Sequence, residues 1–300
     1  MTDNKDKDLR DTIKNDKIYK FYPYRDFDLD ALAGSYLWFS SIEDFNDPFE
    51  GMYLEQIAFR GVDDINDEEI IEINEALHEW AGYSSKAASS KALAIYNNIM
   101  KTEEDKIAYK QVLMENIESQ LRATFTLEAK KRCCCFITDY ENKPAITSKL
   151  MWSHYSNGLR GFMLEFDTEA LLKSLEDCNQ TAVQYGKVNY SNFERLDALK
   201  DLSLSPTAKG NFSRILLRKS PEWVYEQEFR LISEMDRVYF NPNVIRSIVV
   251  GEKIPHPKLK TLLAVIKSQG LLEQVKVAQI NKKTLELDIV DLNISNLSPT

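Results

Sequence analysis

Two short segments of this sequence concentrate side chains that can do chemistry. The first spans Trp152 to Tyr155 with the sequence WSHY, and the second spans Tyr225 to Arg230 with the sequence YEQEFR. An imidazole can transfer a proton, and a fixed carboxylate can stabilise a developing positive charge. Because little else in the chain gathers such groups so densely, these segments are predicted to form the walls of an active site.

The carboxylates are the most reactive feature of the second segment. Side chains two residues apart on a strand project to the same face, so a strand here would align Glu226, Glu228 and Arg230. Two like charges held that close need a cationic neighbour, and Arg230 can supply it. The alternative is a solvent-facing row on an exposed sheet face, in which Arg230 balances the two acids.

The first segment falls on a predicted short helix from Ser148 to Ser156. Trp152 and Tyr155 are three residues apart and share a face of that helix, whereas His154 points elsewhere. The Trp–Tyr pair is therefore either a ligand-stacking platform or part of the core. No second histidine or cysteine stands at ligand spacing, so the sequence predicts no metal site of the zinc type.

The rest of the chain must position these segments. Apolar residues recur at helical spacing from Asp63 to Glu128 and predict roughly three helices, inserted within a single domain over residues 1–300. Because strands and helices do not alternate regularly, the predicted fold class is α+β with a mostly antiparallel sheet. The predicted strands are Tyr36–Ser40, Cys133–Thr138, Gly161–Asp167, Thr181–Tyr190, Glu228–Met235, Ile245–Val250 and two within 274–291.

Composition narrows the class of protein. A formal net charge of −9 argues against a nucleic-acid binder with a broad basic face, and 43% hydrophobic residues suffice for a core. No run of about eighteen apolar residues is present, so we expect no membrane span. Met1 to Lys17 lacks the apolar region of a secretory signal, and the contiguous cysteines 133–135 suit a reducing compartment. A cytoplasmic protein is predicted.

A polar turn is predicted at Asn46-Asp47-Pro48, followed by Glu50. Proline keeps Asp47 out of the helical region, and aspartate side chains commonly accept backbone N–H bonds in turns. Two roles remain open for this turn. It is either purely structural, or it folds over the site and contributes Asp47 or Glu50 to it.

Several segments, taken in order, carry a family resemblance. They are Tyr19-Lys20-Phe21, Leu37-Trp38-Phe39-Ser40-Ser41, Phe45-Asn46-Asp47-Pro48-Phe49-Glu50, Cys135-Phe136, Leu150-Met151-Trp152-Ser153-His154-Tyr155, Gly161-Phe162 and Trp223-x-Tyr225-Glu226-x-Glu228-Phe229-Arg230. Together they resemble DUF2971, a large bacterial family of unknown function, over most of the chain. Members occur among accessory and phage-defence genes, so the resemblance implies a toxin or phage-defence setting.

The order of the motifs also resembles that of ADP-ribosyltransferases. In that fold a first-strand polar residue holds the adenosine ribose of NAD, an aromatic ring stacks on nicotinamide, and a late glutamate hydrogen-bonds the nicotinamide ribose. The resemblance implies that Lys20, or else Arg25, stands at the first position. It also implies that Tyr155 or Trp152 is the stacking ring and that Glu228 is the glutamate.

The function implied by this resemblance is transfer of ADP-ribose from NAD to a macromolecule, or cleavage of NAD. The fold would be a split sheet of the ADP-ribosyltransferase type with an inserted helical block. The acceptor would be a protein or nucleic acid, and a regulatory partner protein is also expected. The implied catalytic residues are Tyr155, Glu226 and Glu228, with Glu226 orienting the incoming group, and the implied NAD-binding residues are Lys20, Arg25, Asn46, Asp47, Trp152, His154 and Arg230.

Two other functions remain open. The first is a metal-dependent nuclease that holds magnesium with Asp47, Glu50, His154 and Glu228, although these residues show no recognisable metal-ligand spacing. The second is a non-catalytic interaction module, in which the residues of the two segments form a buried polar network and the helical block binds a partner.

Overall fold

The structure is a computed structural model that describes residues 17–50, 57–58, 61–128, 130–140, 143–192, 196–197 and 216–292. Residues 1–16 of the charged N-terminal segment lie outside the described residues, so the prediction for that segment stays a prediction. The described contacts divide into two compact units. The first contains Met1–Ser40, Arg132–Val188 and Glu222–Thr300, and the second contains Ser41–Lys131 and Asn189–Pro221. The prediction of a single domain stays a prediction.

Strands dominate the first unit and helices the second. The strands are β1 Lys17–Tyr22, β2 Tyr36–Trp38, β3 Ser40–Ser41, β4 Ile57–Ala58, β5 Arg132–Thr138, β6 Phe162–Asp167, β7 Gln184–Lys187, β8 Asn189–Tyr190, β9 Leu196–Asp197, β10 Arg218–Lys219, β11 Glu228–Ser233, β12 Arg237–Tyr239, β13 Ile245–Gly251, β14 Val275–Ile280 and β15 Leu287–Asp291. The α-helices are α1 Asp26–Ala33, α2 Asp67–Trp80, α3 Ser85–Ile99, α4 Glu103–Glu128, α5 Lys149–His154, α6 Thr168–Asn179 and α7 His256–Ser268. Short 3₁₀ helices lie at Ile42–Asp44, Val62–Asp64, Ala145–Thr147, Pro221–Glu226, Pro242–Val244 and Leu272–Gln274.

The main sheet belongs to the first unit and has the order β15-β14-β13-β6-β1-β5-β11-β7. Strands β13 and β14 run parallel, and the other described neighbours along this order are antiparallel. This arrangement confirms the predicted α+β class with a mostly antiparallel sheet.

The two faces of the main sheet bury different kinds of residue. On one face, Leu32 of α1, Leu171 and Leu175 of α6, and Leu262 and Ile266 of α7 pack in a large core. Each fully buried leucine contributes about 1.5–3 kcal/mol to folding. We call this side the helix-covered face. The opposite side carries a smaller apolar cluster together with buried charged groups, and we call it the polar face.

Strand β1 shows how one segment serves both faces. Ile18 and Tyr22 join the large core, whereas Tyr19 and Phe21 join the smaller cluster of the polar face. Successive side chains of a strand point to opposite faces, so Lys20 lies on the helix-covered side. The pattern KIYKFY is apolar on both faces because the strand is covered on both sides.

The second unit contains the predicted helical block as the three helices α2, α3 and α4. A capping box starts α2: the Asn66 side chain accepts a bond from the Glu69 amide at 2.9 Å, and Glu69 accepts one from the Asn66 amide at 3.1 Å. Asp67 then accepts hydrogen bonds from Tyr96 of α3 and Lys106 of α4, which joins the three helices. No helix in the described part of the chain has the length and apolar content needed to cross a membrane.

Two predicted strands are shorter or more divided than expected. The Tyr36–Ser40 run breaks at Phe39, whose amide donates to the carbonyl of Asp236. The predicted strand Thr181–Tyr190 starts only at Gln184 and breaks at Val188. Its first piece, β7, pairs with β11 in the first unit. Its second piece, β8, belongs to the second unit and pairs there with β10. Local composition carries no information on which partner each piece finds.

Candidate functional site

A row of side chains crosses the polar face in register on five neighbouring strands. Ser247 of β13 pairs with Glu165 of β6, and Glu165 pairs with Tyr19 of β1. Tyr19 then pairs with Ile137 of β5, and Ile137 pairs with Glu228 of β11. Neighbouring strands lie about 4.8 Å apart, so Tyr19 and Glu228 are separated by roughly two strand spacings.

Glu228 and Arg230 form a buried ion pair at one end of this row. Both lie on β11 two residues apart, and Nε of Arg230 is 2.7 Å from Oε2 of Glu228. Glu228 is 4% exposed and Arg230 is 0% exposed. Arg230 thus lies on the predicted face and supplies the predicted positive charge, which offsets the cost of taking the carboxylate out of water. The alternative of a solvent-facing row is wrong, because both groups are buried.

The backbone at Glu226 differs from the predicted strand. It is the last residue of the 3₁₀ helix Pro221–Glu226, and Gln227 after it has a left-handed φ of 44°. The predicted strand alternation between Glu226 and Glu228 is therefore wrong. The Glu226 side chain is nevertheless buried, and its Oε1 accepts a hydrogen bond of 2.5 Å from the hydroxyl of Tyr155.

Tyr155 is positioned by the short helix α5, which was predicted. The Ser148 side chain caps α5 by accepting a bond from the Met151 amide, and Tyr155 is the residue that ends it. Trp152 on the same helix is buried, donates from Nε1 to the carbonyl of Ile146 at 2.7 Å, and packs edge-on against the ring of Phe21. The indole ring of Trp152 is therefore part of the core.

An aromatic rim lies beside the Tyr155–Glu226 pair. His154 is exposed, and the centre of its ring is 6.4 Å from that of Tyr225. Tyr225 in turn lies 6.1 Å from Trp223, and both of these rings are half-buried. His154 and Tyr225 come from the two predicted segments, so the rim joins those segments a second time.

Lys20 and Arg25 are not brought to the polar face. The ammonium of Lys20 donates to the carbonyl of Cys135 at 3.2 Å and lies 5.6 Å from the ring centres of both Tyr22 and Phe136 on the helix-covered side. Arg25 is exposed, and its guanidinium pairs with Asp28 at the start of α1. Neither cation shares a sheet face with Glu228.

Asn46, Asp47 and Glu50 belong to the second unit. Asn46 is exposed, whereas Asp47 and Glu50 are buried. Asp47 Oδ1 accepts a bond of 2.9 Å from the Phe49 amide, which is the contact expected of the structural alternative for this turn. Glu50 pairs with the buried ammonium of Lys219 at 3.3 Å.

The charges on the polar face have distinct environments. Burial, then the charges of Asp139 and Glu165, raise the pKa of the Tyr19 phenol, so this hydroxyl stays protonated. Burial alone would raise the pKa of Glu165, but bonds from Lys17 and Ser247 together hold it below the ordinary value. Glu165 therefore stays ionised beside a neutral Tyr19.

The acids and histidines of the described ranges do not assemble into a group of three or more side chains that could hold a metal ion. The four residues of the nuclease hypothesis also fall in different units: Asp47 and Glu50 in the second, and His154 and Glu228 in the first.

Tyr19 and Glu165 also belong to the polar face, although neither was predicted as a site residue. One signal for Glu165 was present, since it is the only charged residue inside the otherwise apolar run Phe162 to Phe166. No comparable signal marked Tyr19, because an aromatic residue in an apolar strand suits either face.

One part of the chain matches a known protein family, and this part contains both predicted site segments. The model of the family described as "Protein of unknown function (DUF2971)" matches residues 151–231, a range that includes both the WSHY segment and the YEQEFR segment. No curated protein and no solved structure matches the chain. The resemblance to DUF2971 predicted from the sequence is therefore confirmed over residues 151–231.

Proposed function

We propose that this protein is an enzyme that breaks the nicotinamide–ribose bond of NAD and transfers the ADP-ribose to a macromolecule or to water. The observation that carries the proposal is the hydrogen bond between Tyr155 and Glu226, which joins the two predicted segments. Glu228 lies two residues further on, with its carboxylate held by Arg230. The setting implied by the family resemblance, a toxin or phage-defence system, is part of this proposal.

The chemistry needs two carboxylates with different tasks. When the C–N bond to nicotinamide breaks, nicotinamide leaves with the electron pair and the ribose carbon becomes positively charged. A carboxylate fixed in advance lowers the energy of that state without reorganising, and we assign this role to Glu228. Glu226, oriented by Tyr155, would accept the proton of the incoming hydroxyl or amine as it bonds to the ribose carbon.

The first-strand role fits Tyr19 better than Lys20. Tyr19 is on the same sheet face as Glu228 and in register with it across Ile137, whereas Lys20 points to the other face. The Tyr19 hydroxyl already donates to Asp139 at 3.4 Å, a long bond that an incoming ribose hydroxyl can replace. We therefore assign the contact with the adenosine ribose to Tyr19.

Nicotinamide release from NAD by the purified full chain tests the proposal. Glu228→Gln keeps the size of the side chain and removes its charge, and should lower turnover by roughly 10²–10³. The matched control is Glu286→Gln on an exposed glutamate of the same unit, which should leave turnover unchanged. No nicotinamide release by the native chain, with or without protein and nucleic-acid acceptors, would reject the proposal.

A non-catalytic interaction module is the second candidate. One observation favours it: Glu226, Glu228 and Arg230 are all buried, as expected of a polar network that specifies a fold. In that case Glu228→Gln would lower the melting temperature, while NAD would neither bind nor be cleaved. Calorimetric titration of NAD into the native chain separates the two candidates, because only the enzyme binds NAD.

A further inference from the structure

The turn from Asp47 to Glu50 in the second unit carries two carboxylates that are buried. The Glu50 amide donates to the Asp47 carbonyl at 3.2 Å, and the Phe49 amide donates to Asp47 Oδ1 at 2.9 Å. These two bonds close a tight turn, so the carboxylates extend from its two ends. The turn thus holds two carboxyl groups within one short segment.

The charge of Glu50 is balanced within the unit. Its Oε1 lies 3.3 Å from Nζ of Lys219, and both side chains are buried. Lys219 belongs to β10, which pairs with β8, so its backbone is held in place by a strand. The Lys219 ammonium thus offsets the Glu50 carboxylate. Asp47 carries the second carboxylate of the turn.

Asp47 is the more unusual of the two carboxylates in the turn. It is 5% exposed, and its Oδ2 has no hydrogen-bond partner anywhere in the described part of the chain. Buried polar atoms are almost always paired, and leaving one unpaired costs about 1–3 kcal/mol, more when the group is charged. A donor that reached this oxygen would remove that cost.

The surroundings of the turn indicate the chemistry of that donor. Glu43 and Asp44, in the 3₁₀ helix just before the turn, are both exposed. Acids at these positions repel the phosphates of a nucleotide and attract a cation. Phe49 is also largely exposed, and an arginine guanidinium both stacks on aromatic rings and donates in pairs to carboxylates.

We propose that the Asp47–Glu50 turn is a docking site for an arginine side chain of a partner protein. The guanidinium donates to Asp47 Oδ2, its flat face rests on Phe49, and Glu43 and Asp44 attract the basic segment that carries it. Because Oδ2 is closed to solvent in this structure, docking requires that the side chains covering it move aside. The site is separate from NAD cleavage and does not depend on it.

Titration calorimetry of the full chain with a short glycine–arginine peptide tests this site. The native chain should bind this peptide and should bind the same peptide with citrulline in place of arginine at least about tenfold more weakly, since citrulline has the same shape without the charge. Asp47→Asn keeps the Oδ1 turn contact and should cause a similar loss. The matched control Glu104→Gln removes an exposed charge elsewhere in the second unit and should change affinity by less than about twofold.

Three results would overturn the proposal: no binding of the arginine peptide, equal binding of the citrulline peptide, or equal losses in Glu104→Gln and Asp47→Asn. The last would show attraction by a general acidic surface. If Asp47→Asn does not fold, the comparison of the two peptides on the native chain decides the question alone. NAD cleavage is not part of the readout, so the result is independent of the proposed enzyme activity.

Discussion

The hydroxyl of Tyr155 donates a hydrogen bond of 2.5 Å to Oε1 of Glu226, across a separation of 71 residues in the chain. Tyr155 ends helix α5, and Glu226 ends the 3₁₀ helix Pro221–Glu226. The backbone of each residue is thus held at the end of a helix, and the hydrogen bond fixes the two side chains relative to each other. A carboxylate oriented in this way needs little rearrangement before it can accept a proton.

Tyr155→Phe removes this hydroxyl and should lower the free energy of unfolding by about 1–3 kcal/mol, because a buried carboxylate loses a donor. Urea denaturation measures the change. Tyr140→Phe, at an exposed tyrosine of the same unit, is the control and should change stability by less than about 0.5 kcal/mol. Equal effects of the two substitutions would show that the Tyr155–Glu226 bond contributes little.

Arg230→Met should lower the free energy of unfolding by about 3–5 kcal/mol, because the buried carboxylate of Glu228 loses the guanidinium 2.7 Å away. Adding Glu228→Gln should recover part of the loss, since the remaining group is then neutral. The control is Arg246→Met, whose guanidinium pairs with Asp167 at 2.6 Å but is exposed, and which should cost less than about 1 kcal/mol. Similar losses at Arg230 and Arg246 would contradict the buried-pair argument.

Ser247→Ala should destabilise the protein in a pH-dependent way. Burial opposes ionisation of Glu165, but bonds from Lys17 and Ser247 hold its pKa below the ordinary 4.5. A carboxyl with a lowered pKa stabilises the fold above its unfolded-state pKa, and that contribution is lost as the pH falls through the folded-state pKa. The stability difference between native and Ser247→Ala proteins should therefore be largest above pH 4.5 and shrink below it.

Chemical denaturation from pH 3 to pH 7 measures this difference. Ser268→Ala, at an exposed serine of helix α7, serves as the control and should show no such pH dependence. A Ser247→Ala effect of constant size across the range would show that Ser247 acts by packing alone.

Tyr19→Phe and Lys20→Met test which face of β1 serves the site. Tyr19 shares a sheet face with Glu228, so loss of its hydroxyl should weaken NAD binding by roughly 0.5–1.5 kcal/mol, the usual contribution of one hydrogen bond. Lys20 faces the other side, so Lys20→Met should leave NAD binding unchanged. It should lower stability by about 0.5–1 kcal/mol through the lost contact with two rings. The opposite ranking for NAD binding would return the first-strand role to Lys20.

Local patterns in the sequence determined most of the elements. The apolar runs of β5 and β6 were predicted close to their observed bounds, and the helical spacing between Asp63 and Glu128 predicted the three helices α2 to α4. These features depend on side chains within a few residues of each other, because burial of one face repeats every two residues in a strand and every three to four in a helix. The mixed α+β class follows from the order of these elements.

Tertiary structure alone decided which residues of these elements lie close together. Alternation within β1 separates Tyr19 from Lys20, but only the register of β1, β5 and β11 shows that Tyr19 shares a face with Glu228. Likewise, the left-handed Gln227 and the contact with Tyr155, rather than strand alternation, set the position of Glu226. Strand order and register depend on contacts between distant parts of the chain, and spacing along the sequence carries little information about them.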